Sequence, residues 1–101
     1  MESLKTLVVT GASRGIGLGI AEALVKANNP FRLVLTVRKP EDGESVRKKL
    51  STLNPGYKGL VETRLLDVAQ NSSIDAFFKG MGPIDILVNN FSTYKLFLLH
   101  V

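Results

Sequence analysis

With 101 residues the chain is one domain at most, and a 45% hydrophobic content is enough to build a core. No cysteine is present, which excludes disulfides and thiolate metal sites and permits a reducing compartment; no metal centre is expected. The net charge of +4, from 13 basic and 9 acidic residues, raises nucleic-acid binding as a class. The basic residues gather at Arg38-Lys39 and Arg47-Lys48-Lys49 with no interleaved aromatics, so a solvated helix face explains the second cluster better. No window reaches the ~18 apolar residues of a membrane helix, and the start, Met-Glu-Ser-Leu-Lys, has no apolar leader core, so a soluble, cytoplasmic protein is expected.

The first predicted strand, Lys5 to Thr10, is an apolar run of the kind buried on both faces. It runs into Thr10-Gly-Ala-Ser-Arg-Gly-Ile-Gly17, a glycine-rich turn that opens a helix reaching about Ala27. Gly11 lets the chain leave the strand sharply, and Gly15 removes a side chain where a pyrophosphate would touch backbone. Gly17 lets the helix lie close to the sheet, and the free N–H groups of its first turn face an anion. The predicted buried stripe of this helix is Ile16, Ile20, Ala23, Leu24 and Ala27, and Asn28-Asn29-Pro30 ends it.

Arg32 to Val37 is the second strand and Pro40 to Leu53 the second helix, with Val46, Leu50 and Leu53 facing the core. Gly59 to Leu66 reads as the third strand. Ser72 is the expected cap of a short third helix, with Asp75 three residues on and an apolar side of Ile74, Phe77, Phe78 and Met81. Ile84 to Asn89 is the fourth strand. Strands alternating with helices give an α/β fold with a doubly wound parallel sheet. Right-handed crossovers step strands one to three outward and return the chain to set strand four beside strand one. The predicted order is 3-2-1-4, with the first two helices on one face and the third on the other. Its ligand crevice lies between strands one and four, where Gly11 to Gly17 and Asn89-Asn90 both fall.

The octet Thr10 to Gly17, with glycines at 11, 15 and 17, resembles the cofactor loop of the short-chain dehydrogenase/reductase family. Leu66-Asp67-Val68 and Asp85-Ile-Leu-Val-Asn-Asn90 resemble two further motifs of the same family, and the likeness covers residues 3 to 90, nearest its carbonyl-reductase-like branch. The resemblance implies a Rossmann-type half-domain over residues 1–90 that binds dinucleotide through Gly11, Ser13, Arg14, Gly15, Ile16 and Gly17. It also implies that Asp67 and Val68 meet the adenine, and that Asn89 and Asn90 steady the sheet and lie along the adenosine. An Asp at position 67 also suits a turn-capping carboxylate.

An acidic residue about 20 positions past the loop selects the unphosphorylated ribose, whereas an arginine welcomes a 2′-phosphate. Here Val37 and Arg38 end the strand and no carboxylate follows until Glu41, while Arg14 adds a second cation. The cofactor expected is NADP(H) rather than NAD(H).

The family motif continues Asn-Asn-Ala-Gly, where this chain has Asn89-Asn90-Phe91-Ser92 and then a divergent apolar tail, 91–101, whose pattern suits helix and strand alike. The family's catalytic tyrosine stands four residues before a lysine. Here Val61 follows Tyr57 and Leu98 follows Tyr94 at that distance, and Tyr94-Lys95 are adjacent, so no catalytic residue is assigned. The expectation is the truncated NADP-binding portion of a reductase that exchanges hydride with a carbonyl or alcohol substrate, inactive alone. The alternative is a non-catalytic isoform that associates, with itself or a partner, through an exposed sheet edge.

Overall fold

The computed structural model describes residues 3–67 and 69–90. Strand β1 (Lys5–Val9) leads to helix α1 (Gly15–Lys26), β2 (Phe31–Val37), α2 (Pro40–Leu53), β3 (Leu60–Leu65), α3 (Asn71–Phe78) and β4 (Ile86–Val88). The four strands form one parallel sheet in the order β3-β2-β1-β4, as the crossover argument requires. Val8 pairs in register with Val34 on one side and Leu87 on the other. The tail over 91–101, with Phe91, Tyr94 and His100, lies outside the described residues, as does Val68.

Alternation along the strands divides the core in two. Leu7, Val9, Leu33, Leu35 and Val37 point to one face, where Leu18, Ala21 and Val25 of α1 and Val46 and Leu50 of α2 cover them. Val8, Val34 and Leu66 point to the other, under Phe77 of α3 and Met81. Helices α1 and α2 therefore share a face and α3 lies opposite. Full burial of each large aliphatic side chain in this core contributes about 1.5–3 kcal/mol.

Helix α1 is rotated from its predicted phase. Gly17, Leu18, Ala21 and Val25 are the buried positions. Ile20 and Leu24 reach the core partly, while Ile16 is 74% exposed and Ala23 and Ala27 face water. The small residues Gly17 and Ala21 are among the buried positions, a preference that apolar size does not reveal. The helix ends where expected. Asn28 takes a left-handed φ of 60°, its N–H donates to Val25 O, and Asn29 N–H donates to Leu24 O, the paired bonds of a Schellman cap.

Helix α2 matches its predicted limits, although Leu53 is 41% exposed and Gly43 takes its place in the contact face. Arg47, Lys48 and Lys49 are exposed, as a solvated helix side requires. Helix α3 corrects the expected cap. It starts at Asn71 with Gln70 at the N-cap and no side-chain cap bond. The serine that matters is Ser73, whose Oγ accepts from Asp67 N–H at 2.8 Å.

Toward β3 this face of the sheet turns polar. Glu62 pairs with Arg32 at 3.1 Å and Arg64 at 2.7 Å, and these arginines also donate to the carbonyls of Met81 and Phe77. Arg64, at the Phe77 carbonyl in the last turn of α3, complements the dipole of that helix. Partial burial raises the Glu62 carboxyl, but the bonds and charges of Arg64 and Arg32 outweigh it and hold the group below its ordinary 4.5.

Candidate functional site

The site grows from the carboxyl end of β1. Gly11 and Gly15 have φ of 61° and 62°, a left-handed geometry that disfavours any side chain. Between them the chain turns from strand to helix. Thr36 of β2 holds the turn: its Oγ1 accepts from Gly11 N–H at 3.0 Å and its carbonyl from Ala12 N–H at 3.0 Å. This buried hydroxyl carries no role in the sequence reading. Its signal was a polar residue within the apolar run Leu33-Val34-Leu35-Thr36-Val37.

Gly17 is a site of close approach. A Cβ there would lie 2.4 Å from Gly11 O and 2.7 Å from Asn90 Nδ2. The glycine thus seats α1 against the turn and the end of β4, rather than against the sheet at large. A Cβ on Gly15, in contrast, would meet nothing within 4 Å, so the outer side of the turn is open.

The turn is latched to β4. Thr10 Oγ1 accepts from Asn90 N–H at 2.8 Å and stands 3.4 Å from both Val88 O and Asn89 Oδ1, one of which takes its single proton. Asn90 Nδ2 donates back to Gly11 O at 3.3 Å. Thr10, Gly11, Gly17, Asn89 and Asn90 therefore make one braced unit at the crevice between β1 and β4.

Helix α1 meets this crevice with uncapped amides. Its first intrahelical bond is Leu18 N–H to Arg14 O, leaving the N–H groups of Gly15, Ile16 and Gly17 outside the ladder. Its N-cap residue is Arg14, with no side-chain cap bond and no acid in the first turn. Helix α2 also has a cation, Lys39, at its N-cap without a side-chain bond, although its first turn carries Glu41 and Asp42. Cations are poor choices at the positive end of a helix, where an oxygen-bearing cap is favoured.

Both caps line the same space. Ser13, Arg14, Arg38, Lys39 and Asp42 surround an open cleft of about 400 Å³ beside the turn. Arg14 and Arg38, singled out from separate parts of the sequence, come together here. Lys39 and Asp42 are additions: the sequence shows the first only as part of a basic pair and does not mark the second as a site residue. Ile16 is exposed at the start of α1.

Asp67 stands apart from this cleft, at the end of β3. Its Oδ1 accepts from Ala69 N–H at 3.0 Å, and its carbonyl accepts from Gln70 N–H, so the carboxylate caps its own turn. The backbone of that turn is pinned by Ser73. Among the described residues no group of three or more His, Asp or Glu is placed to hold a metal ion, and no helix is long and apolar enough to cross a membrane.

A parallel sheet whose strand order reverses beside a glycine turn defines the amino-terminal part of a Rossmann-type fold. The sequence pattern of the short chain dehydrogenase family matches residues 5–97, and the chain belongs to that family. The short-chain dehydrogenase/reductase tropE of Talaromyces stipitatus is 34% identical over 90 residues, which are 85% of this chain and 34% of that protein. Menthone neomenthol reductase from Mentha piperita superposes with a TM-score of 0.76 at 31% identity, covering 91% of this chain and 33% of the other. A metagenomic short-chain oxidoreductase solved in complex with NADP gives a TM-score of 0.71 at 36% identity, covering 88% and 39%. The chain thus spans about a third of the length of the relatives it matches.

Proposed function

We propose that this chain is the NADP-binding portion, residues 1–90, of a short-chain dehydrogenase/reductase whose whole form exchanges hydride with a carbonyl or alcohol substrate. The observation that carries the reading is the meeting of Arg14, Arg38 and Lys39 around one cleft beside the open glycine turn. The NADP bound to a 36%-identical structural relative adds support.

The residues divide the work by charge and reach. The N–H groups of Gly15, Ile16 and Gly17 bind the pyrophosphate at the positive end of α1, and the bare backbone at Gly15 admits it closely. Ser13 supplies a hydroxyl at the cleft edge. Arg14 and Arg38 grip the 2′-phosphate with charge-assisted bonds that a ribose hydroxyl cannot fully use. Asn89 and Asn90 brace the turn, and Asp67 and Val68 are the residues expected to meet the adenine. The bound cofactor supplies the hydride. No tyrosine in the 101 residues stands four before a lysine, so we expect this chain alone to bind without turnover.

Titration with 2′,5′-ADP and 5′-AMP tests the reading. We expect 2′,5′-ADP to bind at least about ten-fold tighter, an advantage of roughly 1.4 kcal/mol. Arg38→Ala should erase most of it. Equal affinities, or tighter 5′-AMP, would overturn the NADP assignment, and no binding of either would overturn the nucleotide reading itself.

A further inference from the structure

The cleft of Arg14, Arg38 and Lys39 contains one opposing charge. Asp42 lies in the first turn of α2, half-buried, and lines the same wall. The helix fixes its place, because its N–H donates to Lys39 O at 3.1 Å. Among the described residues the ion pairs within 4.0 Å all involve Glu62, so the cleft cations do not neutralise Asp42 by direct contact. A carboxylate in this position acts oppositely on two ligands. It repels a dianionic phosphomonoester held by the three cations, yet it accepts a hydrogen bond from a ribose hydroxyl.

We propose that Asp42 is a specificity-determining residue of this cleft, a counter-charge that lowers the preference for a 2′-phosphorylated nucleotide and keeps the unphosphorylated one usable. This rests on the nucleotide reading above and adds to it a residue that moderates the choice. Glu41 provides an internal comparison. It carries the same charge one position earlier in the same helical turn but is exposed and does not line the cleft.

The test measures binding of 2′,5′-ADP and 5′-AMP to the full chain and to Asp42→Asn, Asp42→Ser and Glu41→Gln, at about 0.05 M and 0.5 M salt. Removal of Asp42 should raise 2′,5′-ADP affinity about three- to ten-fold at low salt, and less at high salt, as expected of partly exposed charges. Affinity for 5′-AMP should stay level or fall. Glu41→Gln should change the ratio less than about two-fold, because a solvated charge acts weakly. Asp42→Ser keeps a polar helix start and guards against a folding defect peculiar to one variant. If the wild type prefers 2′,5′-ADP and the Asp42 variants keep the same ratio, or if Glu41→Gln shifts it equally, Asp42 has no selective role. If the wild type binds neither probe, this inference fails together with the nucleotide reading.

Discussion

The two ends of the sheet are built from similar residues and organised in opposite ways. At the amino ends of the strands, polar side chains close on backbone groups of the neighbouring segments. Asn54 Nδ2 donates to Val25 O, Lys58 N–H donates to Asn28 Oδ1, and the Tyr57 hydroxyl bonds Asn29 O and Phe31 N–H. At the carboxyl ends, the turn is braced from beneath by Thr36 and Thr10, while its outer amides and the cations of Arg14, Arg38 and Lys39 face an open cleft. Hydrogen-bonding capacity is satisfied within the fold at one end and left facing an open cleft at the other, where the proposed nucleotide would use it. A loop rich in asparagine or glycine can serve either purpose, and what surrounds it decides which.

Substitutions at the two ends should therefore separate stability from binding. The largest effect is expected for Gly17→Ala, whose methyl would collide with the backbone oxygen of Gly11. We expect a loss of about 2–3 kcal/mol, seen as a lower urea midpoint, together with loss of measurable 2′,5′-ADP binding. At the opposite end, Asn28→Ala forces a left-handed φ on alanine and removes the acceptor for Lys58 N–H. It should cost about 1–2 kcal/mol while nucleotide affinity in the folded protein stays unchanged, and Asn28→Gly should recover part of the loss. Reduced nucleotide affinity in Asn28→Ala would break the division between the ends.

The smallest effect is expected at Glu62, between them. Its carboxyl is held below 4.5 in the folded chain, so the stabilisation is present above that value and is lost as pH falls through the depressed folded one. The group is about a third exposed, and water screening keeps the contribution below about 1 kcal/mol. Urea midpoints of wild type and Glu62→Gln, compared between pH 7 and pH 3, should converge at the acid end. A constant gap across that range would contradict the ion-pair account.

The strand runs made the fold readable. Continuous apolar segments, proline at the start of α2 and asparagine after α1 are local signals, and each acts where it stands. The rotation of α1 was not readable, because it is set by Gly17 pressing on Gly11 O and by Ala21 against the sheet, contacts in which small size matters more than hydrophobicity. The cap expected at Ser72 does not form, because capping patterns cannot fix a helix start to one residue and α3 begins at Asn71 behind Gln70. Within the site, Gly11, Arg14 and Arg38 could be found from spacing and charge. Thr36, Lys39 and Asp42 depend on which elements the crossovers bring side by side.

The latch through Thr10 has a consequence for the order in which the molecule takes shape. Thr10 and Asn90 are 80 positions apart, so the turn gains its brace only after the whole of β4 has been made. Closing so long a loop is entropically costly and comes late in folding. A growing chain can pair β1 with β2 early, but the latch on its glycine turn must await the emergence of Asn90.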